Sequence, residues 1–292
     1  MTTFTNQATL SYQGTTTNSN ITVGELQPAL LMTKTAAVND YREGSVLTYL
    51  ISIINRGATD ANGLKVIDDL GGFYEFLTKR YPLAYVRGSF RYYVNGELQE
   101  KTAVTDDSEN CPMIVDKQPL VICGIEVPAG GNVLLVYSAE VTGYAPLEAG
   151  ESITNTVSLY RGERTPYLTA QETVYAQEDV ALTISKSLDT ETVMESGQMT
   201  YTLLIQNTGN KATCSEDHVV VTDRMNPVLD DLVVTMDGRV LKEGEEYTYV
   251  RGFLTVLPGV VAVPAATFKR NGTNGTWEVT PGTVTLTITG TV

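Results

Sequence analysis

The sequence of 292 residues predicts an all-β protein that consists of two β-sandwich domains in series. Apolar and polar residues alternate in runs rich in Val, Ile, Thr and Tyr, such as VLTYLISII (46–54) and TVTLTITGTV (283–292), and this pattern is typical of strands. Clusters of Gly, Pro, Asn and Asp separate these runs, and Asn95-Gly96 and Asp237-Gly238 have the pattern of hairpin turns. The third observation is an internal repeat, which indicates two domains.

The second half of the chain repeats the first half. Three segments recur in the same order: LLMTKT (30–35) as LTISKS (182–187), EGSVLTYLISIINRG (43–57) as SGQMTYTLLIQNTG (196–209), and VPAGGNVLLVYSAEV (127–141) as VTPGTVTLTITGTV (279–292). The spacing between the two copies is that of a whole domain, so the repeat indicates two domains. We therefore predict an N-terminal extension and linker over 1–27, a first β-sandwich domain over 28–178 and a second over 179–292.

The closing strand of the first unit has its copy at the opposite end of the chain. The first unit continues into ITNTVSLYRG (153–162), whereas the second stops at Val292 without this segment, and FTNQATLSYQG (4–14) resembles it. A sandwich that lacks an edge strand exposes unpaired backbone groups, so we expect the second domain to accept a donated strand. Insertion into a neighbouring molecule is simpler than folding back and propagates head-to-tail. The alternative is a ragged boundary left by truncation of a longer repeat array.

Composition and charge exclude several classes of function. The net charge of −14 argues against a nucleic-acid partner, and no apolar run approaches the roughly 18 residues of a membrane span. The N-terminus lacks a secretory signal pattern, so either a signal was removed or export uses none. Three cysteines without a CxxC pair and a single histidine, His218, argue against zinc, and we predict no cofactor and no metal. Cys111 and Cys123 either bridge a loop or are free thiols.

Strand parity places several polar side chains on the apolar face. Alternate residues of a strand point to the same side, so a polar residue in phase with apolar ones is expected to face the core. The inward residues predicted in this way are Lys34, Asp68 and Asn155 in the first unit, Lys186 and Asp223 in the second, and Asn6 in the N-terminal strand, whose donor residues are Phe4, Asn6, Ala8, Leu10 and Tyr12. Such groups are costly in a core unless they are paired.

The order of these residues resembles a known family, the bacterial conserved-repeat surface domain (domain of unknown function eleven). The pattern K-[TS] … G-x-x-x-T-Y … N-x-G … V-x-D … I-T-N-x-V spans nearly the whole chain in two copies. Its members are Lys34, Tyr49, Asn55, Gly57, Asp68 and Asn155, then Lys186, Tyr201, Asn207, Gly209 and Asp223. The second copy departs from the pattern because its Asn-bearing last strand is absent. The resemblance implies immunoglobulin-like sandwiches on a bacterial surface, without a shared enzymatic activity.

The chain is also similar to surface sandwiches that form intramolecular isopeptide bonds between Lys and Asn. This similarity implies that Lys34 joins Asn155 with Asp68 as the acid, and that Lys186 joins Asn6 of a neighbouring molecule with Asp223 as the acid. Burial would lower the Lys pKa and raise the Asp pKa, giving a neutral amine and an acid that polarises the Asn carbonyl. The alternatives are a non-covalent Lys–Asp pair capped by Asn, or lysines at strand ends that extend to water.

Other polar residues are better explained by local structure. Asn55 and Asn207 each precede x-Gly and are expected to stabilise turns, Asp69 has the opposite parity to Asp68, and Asp60 lies in a turn. The leading hypothesis is a structural subunit of a bacterial surface or spore-surface fibre, extracellular and self-assembling, without enzymatic activity beyond its own cross-linking. The alternative is an adhesin or stalk that binds a host or matrix receptor or a glycan through its loops.

Overall fold

The structure, a computed structural model, describes residues 2–75, 77–100, 104–105, 114–115, 118–190 and 192–292. The predicted fold class is confirmed: the secondary structure of these ranges is strands and one short 3-10 helix, at Ser215–Asp217. No helix within them is long and apolar enough to cross a bilayer.

The N-terminal segment is a long hairpin in which residues 3–23 are all exposed. One arm consists of β1 (Thr2–Asn6) and β2 (Thr9–Tyr12), and the other arm consists of β3 (Thr15–Asn18) and β4 (Thr22–Leu26). Strand β1 pairs with β4 and β2 pairs with β3, and the chain turns at Gln13-Gly14, both with positive φ. The predicted donor strand is therefore paired with residues 15–26 of its own chain, a pairing that its sequence did not indicate.

The first sandwich consists of two large sheets and a small hairpin. Its strands are β5 (Leu30–Ala36), β6 (Asp40–Tyr41), β7 (Val46–Asn55), β8 (Ala61–Asp68), β9 (Phe73–Glu75), β10 (Thr78–Arg80), β11 (Leu83–Tyr85), β12 (Arg91–Val94), β13 (Glu97–Gln99), β14 (Val104–Thr105), β15 (Ile114–Val115), β16 (Leu120–Val127), β17 (Asn132–Val141), β18 (Ser152–Tyr160) and β19 (Leu168–Ala176). One sheet has the order β13-β12-β17-β7-β5, with β11 also pairing with β17, and the facing sheet has the order β14-β15-β16-β8-β18-β19-β6.

The second sandwich has fewer strands. They are β20 (Leu182–Leu188), β21 (Gln198–Asn207), β22 (Val221–Arg224), β23 (Asp230–Met236), β24 (Arg239–Val240), β25 (Tyr247–Val250), β26 (Phe253–Val256), β27 (Thr267–Arg270), β28 (Trp277–Thr280) and β29 (Gly282–Thr291). Within the described ranges, the larger sheet has the order β20-β21-β29-β23-β24 and the smaller one has the order β22-β26-β25. The turns at Asn95-Gly96 and Asp237-Gly238 connect β12 to β13 and β23 to β24, as predicted.

The buried apolar side chains form two clusters, as expected from strands that alternate inward and outward residues. One cluster draws on residues 30–176 and the other on residues 199–288. Strand β7 illustrates the alternation, because Leu47, Tyr49, Ile51 and Ile53 are buried on one face. Among the described residues, none before Leu30 belongs to either cluster, so the N-terminal hairpin contributes nothing to the cores of its own chain. The domain boundaries stay a prediction.

Candidate functional site

Three of the predicted polar residues meet inside the first sandwich. Lys34 lies on β5 in one sheet, whereas Asp68 and Asn155 lie on β8 and β18 in the facing sheet. Val157 pairs with Asp68 across β18 and β8, so Asn155, two residues away, shares the face of Asp68. All three side chains are buried in the space between the sheets. Their common placement follows directly from the predicted parity.

A chain of hydrogen bonds connects these side chains. Lys34 Nζ donates to Asp68 Oδ2 at 2.6 Å, and both side chains are 0% exposed. The hydroxyl of Tyr137 donates to the same oxygen at 2.7 Å and accepts from Asn155 Nδ2 at 3.1 Å. The backbone N–H of Leu70 donates to Asp68 Oδ1 at 3.2 Å. The carboxylate therefore has three donors, which offset the cost of burying its charge.

The surroundings of the pair favour a neutral amine. Burial lowers the pKa of Lys34, and the attraction of Asp68 opposes part of this change. Lys34 Nζ also lies 5.0 Å from the ring centroid of Tyr49, which stacks on Tyr137 with centroids 5.6 Å apart. Burial, followed by the charge of Asp68, raises the pKa of the Tyr137 hydroxyl well above its ordinary value. Tyr137 therefore stays a neutral donor across the physiological range of pH.

Two polar atoms of this cluster lack a hydrogen-bond partner among the described residues. They are Asn155 Oδ1 and the hydroxyl of Tyr49, and both are buried. No hydrogen bond joins Lys34 to Asn155 directly within the described residues, since Asp68 and Tyr137 lie between them in the network. The cluster thus brings an amine, a carboxyl group and an amide together in one core.

Sequence reasoning missed Tyr137, although a signal for it was present. Tyr137 is in phase with Val133 and Leu135 on β17, so its hydroxyl had to point into the core. A buried tyrosine hydroxyl usually finds a hydrogen-bond partner, and the predicted inward Asp68 and Asn155 were the available ones. The parity of β8, β17 and β18 could have suggested that Tyr137 contacts Asp68 and Asn155. Only the packing of the two sheets against each other establishes this contact.

The second Lys–Asp pair has the same geometry in a different environment. Lys186 Nζ lies 2.5 Å from Asp223 Oδ2 and 4.2 Å from the ring centroid of Tyr201. The side chains are 37% and 14% exposed, whereas those of Lys34 and Asp68 are fully buried. Lys186 has the predicted parity, but in a single chain its side chain is only partly buried. Within the described residues its partner from the facing sheet is Asp223 on β22.

An open strand edge explains this exposure. In the first sandwich β8 pairs with β16 on one side and with β18 on the other. The corresponding strand of the second sandwich, β22, pairs with β26, and its other edge has no partner in the part of the chain that the structure describes. Strand β22 begins at Val221, and Val219 and Val220 before it belong to no strand.

A groove of about 310 Å³ lies between β20 and this edge. Its apolar lining consists of Leu182, Ile184, Ile205, Val219, Val220 and Val221. Ile184 is 58% exposed although it is in phase with Lys186, so apolar surface that would normally be core faces the groove. An unpaired strand edge beside an apolar groove is the form of an acceptor site for an added strand.

The predicted donor residues lie elsewhere, on the N-terminal hairpin. Phe4, Leu10 and Tyr12 are exposed by 57%, 66% and 69%, and Asn6 and Ala8 are exposed as well. Asn6 makes no hydrogen bond to Lys186 or Asp223 among the described residues of one chain. The N-terminal hairpin and the groove beside β22 are thus both exposed in the described chain.

Asn55 and Asn207 have the structural role that their spacing predicted. Asn55 Nδ2 donates to the carbonyls of Thr59 and Val127 at 2.9 and 3.1 Å, and its Oδ1 accepts from the N–H of Gly57 at 2.9 Å. Asn207 repeats this pattern in the second sandwich, with donation to two carbonyls and acceptance from Gly209. Each amide therefore fixes a turn and ties it to a second segment of backbone.

The remaining predicted sites are local or fall outside the described residues. Asp60 Oδ1 accepts from the N–H of Ala129 at 2.8 Å, which ties its turn to another loop. Asp69 Oδ1 accepts from the N–H groups of Gly71 and Thr156, away from Lys34. Cys111 lies outside the described residues, so its bridge to Cys123 stays a prediction.

Comparison with known proteins adds a limited likeness in strand arrangement. No family model and no curated protein matches the chain, so the resemblance to the conserved-repeat surface domain stays a prediction. The major pilin subunit BcpA of Bacillus cereus is similar at 10% identity and a TM-score of 0.35, over 96% of this chain and 73% of that one. The pilus backbone RrgB of Streptococcus pneumoniae is similar at 10% identity and a TM-score of 0.32, over 86% of this chain and 55% of that one.

A collagen-binding domain from a Staphylococcus aureus adhesin is similar at 13% identity and a TM-score of 0.32, over 49% of this chain and 96% of that one. This chain thus spans about half the length of the pneumococcal pilus backbone. All three TM-scores are low, and no functional conclusion depends on them.

Proposed function

We propose that the protein is a structural subunit that assembles head-to-tail, with the N-terminal strand of one molecule completing the second sandwich of its neighbour. The observation that carries this proposal is the unpaired edge of β22 beside an apolar groove, at the position that β18 fills in the first sandwich. The N-terminal strand is exposed and has a sequence similar to that of β18.

The first sandwich supplies the register for the donated strand. Across β18 and β8, Val157 is paired with Asp68 and Leu159 with Val66. The same register places Ala8 opposite Asp223 and Leu10 opposite Val221 of the neighbour. Asn6 then occupies the place of Asn155, on the face that carries Lys186.

Burial and backbone pairing both favour this insertion. Full burial of a side chain such as Phe4 or Leu10 is worth about 1.5–3 kcal/mol. Each new backbone hydrogen bond along β22 adds roughly 0.5–1.5 kcal/mol. Because donor and acceptor are different surfaces of the same chain, each added molecule presents a new acceptor, and the contact propagates as an open fibre.

We further propose that amide bonds fix both sandwiches covalently. The neutral Lys34 amine would attack Cγ of Asn155, forming an amide bond while the C–N bond to the Asn nitrogen breaks and one ammonia leaves. Asp68 would take the proton from the amine and return it to the departing nitrogen, so no net charge or electron is transferred. Lys186, Asp223 and the neighbour's Asn6 would do the same between molecules.

Removal of residues 1–13 tests the assembly. The truncated protein is expected to stay monomeric by sedimentation and electron microscopy, while the full chain forms filaments. Filaments of unchanged form from the truncated protein would refute the proposal.

A matched pair of substitutions tests the register. Leu10→Glu places a charge in the groove and should prevent assembly, whereas Ser11→Glu, on the opposite face of the same strand, should not. Equal loss in both variants would contradict the proposed register.

The covalent bonds have a separate test. Assemblies boiled in detergent should give a ladder of sizes, and Asn6→Ala should abolish the ladder while filaments still form. Complete collapse of the wild-type assembly to monomers would exclude the bond between Lys186 and Asn6. An intact monomer mass that shows no loss of ammonia would exclude the bond between Lys34 and Asn155.

We place this assembly on a bacterial cell or spore surface, without enzymatic activity beyond its own cross-linking, as the family resemblance implies. The adhesin alternative, in which sandwich loops bind a host or matrix receptor or a glycan, stays a prediction. Binding of the monomeric truncated protein to immobilised collagen or glycans would favour it.

A further inference from the structure

We propose that the donated element is the whole N-terminal hairpin, residues 2–26, and that the joint between molecules reproduces the joint between the two sandwiches of one chain. This inference rests on the proposed head-to-tail assembly and specifies the element that is exchanged. It differs from single-strand donation, in which β1 and β2 would separate from β3 and β4 before insertion.

The first sandwich is closed by a hairpin and not by a single strand. Strand β18 pairs with β8, while its hairpin partner β19 lies against β5 and pairs in parallel with β6. Two of these three contacts therefore belong to β19, the second strand of the hairpin.

Among the described residues, the second sandwich leaves all three of these places open. No described strand pairs with the edge of β22 that corresponds to the edge where β18 pairs with β8. Strand β20 is exposed along its whole length, and Leu182 is 38% exposed where its counterpart Leu30 is 1% exposed. Residues 192–193, which correspond to β6, form no strand. A single donated strand would fill only the first place and would leave β20 uncovered.

The N-terminal hairpin matches the closing hairpin in its pairing. The paired residues are Ile153 with Val174 and Asn155 with Glu172 in the closing hairpin, and Phe4 with Gly24 and Asn6 with Thr22 in the N-terminal one. The register of the N-terminal hairpin differs by one residue between the β1–β4 pairing and the β2–β3 pairing. This shift lies after Asn6 in the chain. The half of the hairpin that carries Asn6 therefore has the pairing required to replace β18 and β19.

Both hairpins lead into a sandwich through a short linker. Five residues, 177–181, separate β19 from β20, and three residues, 27–29, separate β4 from β5. The N–H of Arg56 donates to the carbonyl of Ala29 at 2.7 Å, and the N–H of Thr208 donates to that of Ala181 at 2.9 Å. The chain thus enters both sandwiches through equivalent contacts, as a repeated joint requires.

An exposed methionine marks where the linker after the donated hairpin would lie. Met194 corresponds in position to Arg42. The backbone carbonyl of each residue accepts a hydrogen bond from the N–H three residues later, in the turn that precedes β21 and β7, respectively. Arg42 contacts Gln177 and Asp179, in the linker that follows β19. Met194 is 85% exposed, so the linker of residues 27–29 from a neighbouring molecule would cover an apolar side chain that its own chain leaves in water.

A disulfide across the hairpin separates the two modes of donation. Thr5 and Val23 are directly paired and have the parity opposite to Phe4 and Asn6, so Thr5→Cys with Val23→Cys can lock the hairpin without entering the groove. The full chain with both substitutions and Cys214→Ser is compared with the two single variants in the same background. We expect the locked chain to form filaments to the same extent as the single variants.

The other outcomes have distinct meanings. Loss of filaments in the locked chain alone would show that the hairpin must open, which overturns whole-hairpin donation while leaving the proposed function in place. Absence of filaments from the unsubstituted chain as well would overturn the proposed function and this inference together.

A second variant tests the predicted position of the linker. Met194→Asp is expected to weaken association of molecules by roughly tenfold, because it places a charge against the joint. Leu98→Asp, at an exposed apolar residue of the first sandwich, serves as the control and should have no effect. Equal association of the Met194→Asp and control variants would overturn the reproduced joint.

Discussion

The two Lys–Asp pairs provide a matched experiment on how burial determines the strength of an ion pair. Asp68→Ala leaves Lys34 without its partner in a fully buried place and also removes the acceptor of the Tyr137 hydroxyl. Asp223→Ala removes the same partner from Lys186, whose side chain is 37% exposed and can be solvated by water. The geometry of the two pairs is similar, so the difference in effect isolates their environments when the comparison is made on molecules that have not formed the proposed amide between Lys34 and Asn155.

The expected magnitudes differ several-fold. Breaking a buried pair by removing one partner costs about 3–5 kcal/mol, whereas an exposed pair contributes about 0–1 kcal/mol. Because 1 kcal/mol shifts the melting temperature of a domain of this size by about 2–4 °C, Asp68→Ala should lower it by roughly 6–20 °C. Asp223→Ala should change it by less than about 4 °C in the monomeric protein.

The assay is urea and thermal unfolding of the chain without residues 1–13, which prevents the proposed assembly from stabilising the second sandwich. The double variant Lys34→Met with Asp68→Leu should recover much of the lost stability, because a pair replaced by apolar side chains leaves no buried charge. Equal destabilisation by Asp68→Ala and Asp223→Ala would refute the reasoning from burial. The intact mass of Asp68→Ala adds a second readout, since it should show no loss of ammonia.

Three further predictions concern single groups. Tyr137→Phe should cost about 1–3 kcal/mol, because it leaves Asn155 Nδ2 without its acceptor, and urea unfolding measures this loss. Asn55→Ala should destabilise the first sandwich by a similar amount of roughly 1–3 kcal/mol, since two carbonyls and one N–H lose their partner. Burial raises the pKa of Tyr137 above the ordinary value of 10.0 that applies in the unfolded chain, so stability is fully present below pH 10 and is lost as the pH rises beyond it. Urea midpoints on either side of pH 10 would test this sign, and ionisation of Tyr137 in the folded protein at its ordinary pKa would contradict it.

Much of the site could be predicted from strand parity alone. Because alternate residues of a strand face the same side, the phase of Lys34, Asp68 and Asn155 relative to their apolar neighbours was enough to place all three in one core. The turn roles of Asn55 and Asn207 followed from their spacing to glycine, which is a local property of the chain.

Parity states which way a side chain points, but not what lies opposite. Lys186 has the same phase as Lys34 and is nevertheless exposed, because cover depends on a strand from the other sheet. Tyr137 enters the network only because β17 faces β8 and β18 across the core. These contacts join residues that are distant in sequence, and no local pattern encodes their distances.

The sequence by itself determined the all-β class, the repeat and the resemblance of the N-terminal strand to β18. Only the tertiary structure decided that this strand is one half of a hairpin, since pairing of residues 2–12 with residues 15–26 is set by register and not by periodicity. The structure likewise decided that one edge of β22 has no partner among the described residues and that β20 is exposed. Whether a strand is buried depends on the sheets that surround it. Its own residues determine only which of its two faces is apolar and can be covered.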